Sequence, residues 1–98
     1  SPADRSFVKM LVMTTVRRYE FIRKVIRQFA RKKLPPKAAY AQYALACAVC
    51  ELLFMNTPDY AVINSCVNLV KKNCDRYVAG FVNAVLRKID RTAARRHG

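Results

Sequence analysis

The 98-residue chain contains only two glycines and one histidine, and it lacks tryptophan. Phosphate-cradling loops need closely spaced glycines, so glycines at positions 80 and 98 alone argue against a nucleotide-binding loop. His97, the single histidine, lies one residue from the end of the sequence, where no side chain is placed to orient it as a catalytic base. No pair of carboxylates is grouped for acid–base work. We therefore expect no catalytic residues in this chain.

Acidic residues are also scarce, with six Asp and Glu against nineteen Lys and Arg, for a net charge of +13. The cations fall into two blocks, because residues 38–70 contain no Lys or Arg and carry only Glu51 and Asp59 as charges. A surface that serves only solubility mixes both signs. This pattern instead predicts a buried middle and flanks that face a polyanion, such as RNA, DNA or an anionic membrane.

A membrane location is not favoured. The longest apolar run, residues 38–55, contains Gln42 and Glu51, whereas a membrane span needs about 20 mostly apolar residues. The first residues lack the layout of a signal peptide. Insertion of the cationic helix predicted at 20–31 into a membrane surface would remove its apolar face from the core. We expect a cytoplasmic protein without a membrane partner.

Four cysteines, at positions 47, 50, 66 and 74, raise the question of a metal site. The spacing of Cys47 and Cys50 resembles half of a zinc pattern. Zinc knuckles, however, place such a pair on a turn, and these two lie in an alanine-rich helical run. Reduced, buried thiols suit a reducing compartment better. We expect no metal and no cofactor.

Helix-forming residues dominate and hairpin signals are missing, which predicts an all-α fold. We expect a single-domain bundle of about five helices around a central apolar helix. The domain is predicted over 4–93, with a basic tail at 94–98 that frays. The predicted helices run from Asp4 or Ser6 to Arg17, from Glu20 to Arg31, from Lys37 to Met55, from Tyr60 to Asn73 and from Tyr77 to Ala93.

Apolar residues at helical spacing predict which faces are buried. The third helix is apolar on nearly every face and should be the hub of the fold. The predicted stripes are Phe7, Val8, Leu11, Val12 and Thr15 in the first helix, Phe21, Ile22, Val25, Ile26 and Phe29 in the second, Val62, Ile63, Cys66, Val67, Leu69 and Val70 in the fourth, and Phe81, Val82, Val85, Leu86 and Ile89 in the fifth. Arg23, Arg27 and Arg31 should be exposed.

Several segments resemble NusB-like RNA-binding domains. They are Asp4-Arg5-Ser6-Phe7, Leu34-Pro35-Pro36-Lys37-Ala38, the run from Leu52 to Val62, and Gly80-Phe81-Val82-Asn83-Ala84-Val85-Leu86-Arg87. Within that family, the opening Asp-Arg and the closing Ala-Val-Leu-Arg are most similar to the amino-terminal domain of Sun/RsmB-type 16S ribosomal RNA cytosine-C5 methyltransferases.

The resemblance implies an RNA-binding module, an accessory rRNA-binding domain of a methyltransferase without catalytic residues of its own. The alternative is a NusB-type transcription antitermination factor, which binds leader RNA together with a ribosomal protein. The family's first, arginine-rich helix is missing from this sequence. Whether a methyltransferase domain follows in the parent protein stays open at this point.

The same resemblance places an RNA-facing region at the link between the fourth and fifth helices. For Asn83, a hydrogen bond that holds the helix packing is an equal alternative, and Phe81 is expected in the core. The candidate RNA-binding residues are Lys71, Lys72, Arg76, Tyr77, Asn83, Arg87, Arg17 and Arg18.

Overall fold

Five α-helices follow one another in the computed structural model, which describes the backbone at residues 2–30, 32, 34–35 and 38–97. No strand occurs among these residues, so the all-α bundle is confirmed. The predicted exposure of Arg31 falls outside the described residues. The helices are α1 (Pro2–Arg17), α2 (Tyr19–Phe29), α3 (Ala39–Phe54), α4 (Asp59–Asn73) and α5 (Arg76–His97).

The central position predicted for the third helix is confirmed, because α3 contacts each of the other four helices. Small residues along it let the neighbouring helices approach closely, and its buried positions are Ala41, Leu45, Ala46, Ala48, Val49 and Cys50. Its amino-terminal half nevertheless reaches the surface, where Tyr40 and Tyr43 are 44% and 64% exposed. Tyrosine tolerates this position because its hydroxyl group stays in water.

Helix α4 packs against both α3 and α5 and completes the core. The stripe predicted for α5 is confirmed, with Val82, Val85, Leu86 and Ile89 buried and Phe81 half-buried against them. The stripe predicted for α4 is wrong only at Leu69, which is 48% exposed. Burial of these apolar faces stabilises the bundle.

The helix ends follow local chemistry. Arg18 separates α1 from α2, with φ −102° and ψ 14°, and lies in the gap between the predicted first and second helices. Asp75 caps α5, because its carboxylate Oδ1 accepts a 2.9 Å hydrogen bond from the backbone N–H of Val78. Helix α5 continues to His97, four residues beyond the predicted end, so the predicted tail is helical up to that residue.

The stripe predicted for α1 is largely wrong. Thr15 is buried and Leu11 is half-buried, but Phe7, Val8 and Val12 are 39%, 55% and 50% exposed. Helix α1 packs on α3 and α2, which leaves most of its circumference facing solvent. In α2 the prediction also fails for Phe21, which is 52% exposed.

None of the described helices is both long enough and apolar enough to cross a membrane.

Candidate nucleic-acid interface

A cavity of about 290 Å³ lies beside α2, where this helix packs against α3 and α5. Its floor is apolar and includes Leu45 and Ala46 of α3. Its cationic groups are Arg23 and Arg27 of α2 and Lys32, which follows that helix. The cavity therefore combines a hydrophobic floor with a positively charged rim.

A second cavity, of about 190 Å³, lies between the end of α2 and α5. Both cavities are lined by Ala30, Lys32 and Phe81, so they adjoin. Lys88 and Tyr77 of α5 complete the second one. We call the two together the α2–α5 groove.

The charge of the α2–α5 groove is of one sign. Its charged lining residues are Arg23, Arg27, Lys32 and Lys88, and no Asp or Glu is among the described residues that line it. Clustered cations without nearby acids create a positive potential that attracts polyanions. Proteins that bind unpaired bases commonly place exposed aromatic rings beside such a patch, and the bases stack on these rings.

Helical spacing brings the α2 residues of the groove to one face. Tyr19, Arg23, Ile26, Arg27 and Ala30 recur at intervals of three or four and line the first cavity. The guanidinium carbon of Arg23 lies 5.8 Å from the centroid of the Tyr19 ring, within the range of a cation–π interaction. This contact steadies the cationic rim.

Four of the predicted RNA-binding residues lie around the turn from α4 to α5. Lys71 and Lys72 occupy the last turn of α4, Arg76 and Tyr77 the first turn of α5, and all four are exposed. We call them the link cluster. Tyr77 is 66% exposed and also lines the groove, so the link cluster continues into it.

Asn83 and Arg87 lie farther along α5. The Nε–H of Arg87 donates a 3.1 Å hydrogen bond to Oδ1 of Asn83, which is half-buried. Arg87 also lies close enough to Asp90 to lower the pKa of that carboxyl group, although the net pKa of Asp90 is raised to about 6, chiefly by a hydrogen bond with Asp59. Arg87 is therefore near an acidic group.

Arg17 and Arg18 are remote from the link cluster. The guanidinium carbon of Arg18 lies 5.0 Å from the centroid of the Phe54 ring, at the end of α3. Phe54 closely precedes α4, a helix of 15 residues, and such a helix is roughly 20 Å long. Arg18 and Lys72 therefore lie near opposite ends of α4, and the predicted residues do not form one surface.

The prediction of buried thiols holds for Cys50 and Cys66, whereas Cys47 and Cys74 are half-buried. The thiol of Cys66 donates a 3.5 Å hydrogen bond to the carbonyl oxygen of Ala44, and burial raises its pKa to about 12. Burial likewise raises the pKa of the Cys47 thiol, against an opposing hydrogen bond with Thr15. All four cysteines are free, and the described part of the chain holds no group of three or more His, Cys, Asp and Glu side chains placed to hold a metal.

The NusB family model matches residues 1–91 of this sequence. The chain belongs to the NusB family. This NusB-family chain is also 29% identical, over 90 residues, to Ribosomal RNA small subunit methyltransferase B from Xanthomonas campestris pv. campestris. The match covers 92% of this chain and 21% of the relative, so the chain spans about a fifth of that protein's length. No solved structure matches the chain significantly.

Most of the residues that line the groove in this NusB-family chain were not predicted from the sequence. Arg23 and Arg27 were recognised as an exposed row, but Lys32, Gln42 and Lys88 carry no pattern that sets them apart from other surface residues. Two signals in the sequence point to the groove. The spacing of Tyr19, Arg23 and Arg27 marks the α2 wall, and the family resemblance indicates Tyr77 of α5.

Proposed function

We propose that this domain binds RNA, and that the α2–α5 groove together with the link cluster forms the binding surface. The observation that carries the proposal is the lining of the groove, which brings cations from α2 and α5 around exposed and half-buried aromatic rings without a described acidic side chain. A groove of this composition suits a phosphate backbone with unpaired bases.

In this proposal the cations position the RNA and the aromatic groups contact bases. Arg23, Arg27, Lys32 and Lys88 contact phosphates, while the exposed ring of Tyr77 stacks on a base at the mouth of the groove. Lys71, Lys72 and Arg76 extend the phosphate-binding track past Tyr77. The domain holds RNA in place and contributes no reacting group.

The relative's name supports a more specific proposal, that this is the rRNA-binding accessory domain of a small-subunit rRNA methyltransferase. Since the chain spans about a fifth of that relative, methyl transfer would belong to another part of the parent protein. We place the domain in the cytoplasm, where its four free cysteines would stay reduced. The other four candidates, Asn83, Arg87, Arg17 and Arg18, are secondary contacts in this proposal.

Titration of the domain against a fluorescein-labelled fragment of small-subunit rRNA tests the proposal. We expect fluorescence anisotropy to report an affinity that falls steeply between about 50 and about 200 mM salt, because cations displaced from the RNA return at high salt. The double variant Arg23→Ala/Arg27→Ala should bind more weakly. Lys24→Ala is the matched control, because Lys24 is an exposed cation of α2 that does not line the groove.

An affinity that does not change with salt would contradict phosphate binding. An equal loss of binding free energy per removed cation in Lys24→Ala and in the double variant would show that the groove cations have no special part. The antitermination alternative makes a different prediction: a leader RNA should then bind better than the rRNA fragment, and binding should require an added ribosomal protein.

A further inference from the structure

The first cavity of the α2–α5 groove has the composition of a site for a single unpaired nucleobase, beyond general attraction for RNA. We infer that one base of a single-stranded RNA inserts there, with its hydrogen-bonding edge at Gln42 and its phosphate at Arg23, Arg27 and Lys32. The inference rests on the proposed RNA binding. It specifies where a base binds and that the bound RNA is single-stranded.

The interior of the cavity is suited to the face of a base. Ile26, Ala30, Leu34, Leu45 and Ala46 supply aliphatic walls, and Ala46 is 2% exposed. Phe81 and Tyr19, both half-buried, add aromatic rings. Apolar walls with a few polar groups at the edge are typical of sites that bind flat heteroaromatic molecules.

The cavity is of the size of a small ligand site. At about 290 Å³ it lies at the lower limit of ligand sites, which span roughly 300–1,000 Å³. It lies beside the second cavity, which offers the ring of Tyr77 to the next base along the strand. A base that is paired in a duplex is shielded by its partner and its stacked neighbours and cannot enter such a cavity.

Gln42 is the one uncharged amide side chain among the described residues that line the first cavity. Its Nε2 donates a long, 3.5 Å hydrogen bond to the carbonyl oxygen of Leu34. This bond orients the amide and uses one of its two N–H groups, so a second N–H and the Oε1 acceptor stay available. A donor and an acceptor side by side can pair with the edge of a base.

The phosphate has partners at the rim of the same cavity. Arg23 and Arg27 lie one helical turn apart on α2, and Lys32 follows them. Guanidinium groups bind phosphate oxygens in a bidentate manner, which fixes the sugar–phosphate unit next to the inserted base.

The experiment compares a labelled single-stranded RNA of mixed sequence with the same RNA annealed to its complement. We expect the single strand to bind the native domain roughly tenfold more tightly, because only unpaired bases can enter the cavity and stack. Replacement of successive bases by abasic sites should identify one position at which the affinity drops by a similar factor.

Two variants at one position test the cavity itself. Gln42→Trp places an indole at the mouth and should reduce binding of the single strand to the level of the duplex, whereas Gln42→Ala should weaken discrimination between bases at the sensitive position. Gln28→Trp is the matched control, since Gln28 is exposed on α2 and does not line the groove. Circular dichroism should show native helicity for both Trp variants, because both positions are exposed.

Equal binding of single strand and duplex would overturn the base site. So would native single-strand affinity in Gln42→Trp, or a loss of equal size in Gln28→Trp. In each of these cases, an RNA affinity that falls steeply with salt would still support the proposed RNA binding. The absence of salt-dependent binding to either RNA would instead reject both proposals.

Discussion

The carboxyl group of Asp90 in α5 lies beside that of Asp59, in the first turn of α4, close enough for the two groups to share a proton. Two carboxyl groups can share a hydrogen bond only while one of them holds a proton. The hydrogen bond with Asp59, partial burial and the Asp59 charge raise the pKa of Asp90 to about 6, against an opposing effect of Arg87. Two helices that form much of the core therefore meet at a pair of carboxyl groups, one of which has a raised pKa.

This pair predicts that stability depends on pH. The folded state binds the Asp90 proton more tightly than the unfolded chain does, so the contribution is complete below about pH 4 and is lost as the pH rises through about 6. Asp90→Asn keeps a donor for Asp59 without titrating. We expect its melting temperature at pH 7.5 to exceed that of the native domain by roughly 2–4 °C, a modest gain because Asp90 is partly exposed.

Thermal melts followed by circular dichroism from pH 4 to pH 8 measure this effect. Glu20→Gln is the control, since Glu20 is an exposed acid of α2 and its replacement should leave the pH dependence in place. A pH profile of Asp90→Asn that parallels the native one would show that the pair does not control stability.

The sequence predicted the core of the bundle better than its surface. The periodicity of α5 identifies its buried face because that face is apolar and the opposite one is polar, and the apolar character of α3 on nearly every face identifies it as the central helix. In α1 the predicted stripe is wrong at Val8 and Val12. Apolar residues occur on several sides of this helix, so their periodicity alone does not identify the side that packs.

The candidate site was harder to predict for a different reason. Arg27 and Phe81 line the same cavity although 53 residues lie between them in the sequence. Their proximity depends on the contact of α2 with α5, which local patterns do not encode. Tyr77 was predicted from the family resemblance alone, and the structure places it in the lining of the groove.

The link cluster predicts a change in the dependence of RNA binding on salt. Simultaneous replacement of Lys71, Lys72 and Arg76 by alanine removes three exposed cations next to the groove. For single-stranded RNA each lost phosphate contact should reduce the slope of log affinity against log salt by about 0.7, or roughly 2 in all. Anisotropy titrations at several salt concentrations give this slope.

The control for the link cluster is the double variant Arg5→Ala/Lys9→Ala, which removes exposed cations from α1. Its slope should change less, per removed cation, than that of the triple variant. If the two variants weaken binding equally per removed cation, net charge alone explains the affinity and the link cluster is not a contact surface.

The thiol of Cys66 should resist alkylation in the folded domain. Burial raises its pKa to about 12, so the thiol stays protonated at pH 8, and its side chain is also shielded from the reagent. Cys74, half-buried at the end of α4, is better placed to react. Timed iodoacetamide labelling with peptide mass spectrometry should show Cys74 modified first. Labelling of Cys66 at the rate of Cys74 in native protein, and not only in denaturant, would contradict the packing of α4 on α3.

The side chain of Asp75 caps α5, so it affects both the stability of the fold and the position of two residues of the link cluster. Its carboxylate accepts the N–H of Val78 and fixes the first turn of α5, which carries Arg76 and Tyr77. Asp75→Ala should reduce the free energy of unfolding by about 1 kcal/mol, as is usual when a capping side chain is removed. Urea denaturation measures this loss. Asp75→Asn should restore most of the stability, because asparagine caps helices about as well as aspartate.

RNA binding by the two Asp75 variants separates the effect of the cap from the effect of charge. Both variants remove one negative charge beside the cationic surface, so both should gain affinity if electrostatics dominates. If the position of Tyr77 matters, Asp75→Ala should bind more weakly than Asp75→Asn, because only the asparagine retains the first turn of α5. Equal affinities for two variants of unequal stability would show that the first turn of α5 does not position Tyr77 for RNA.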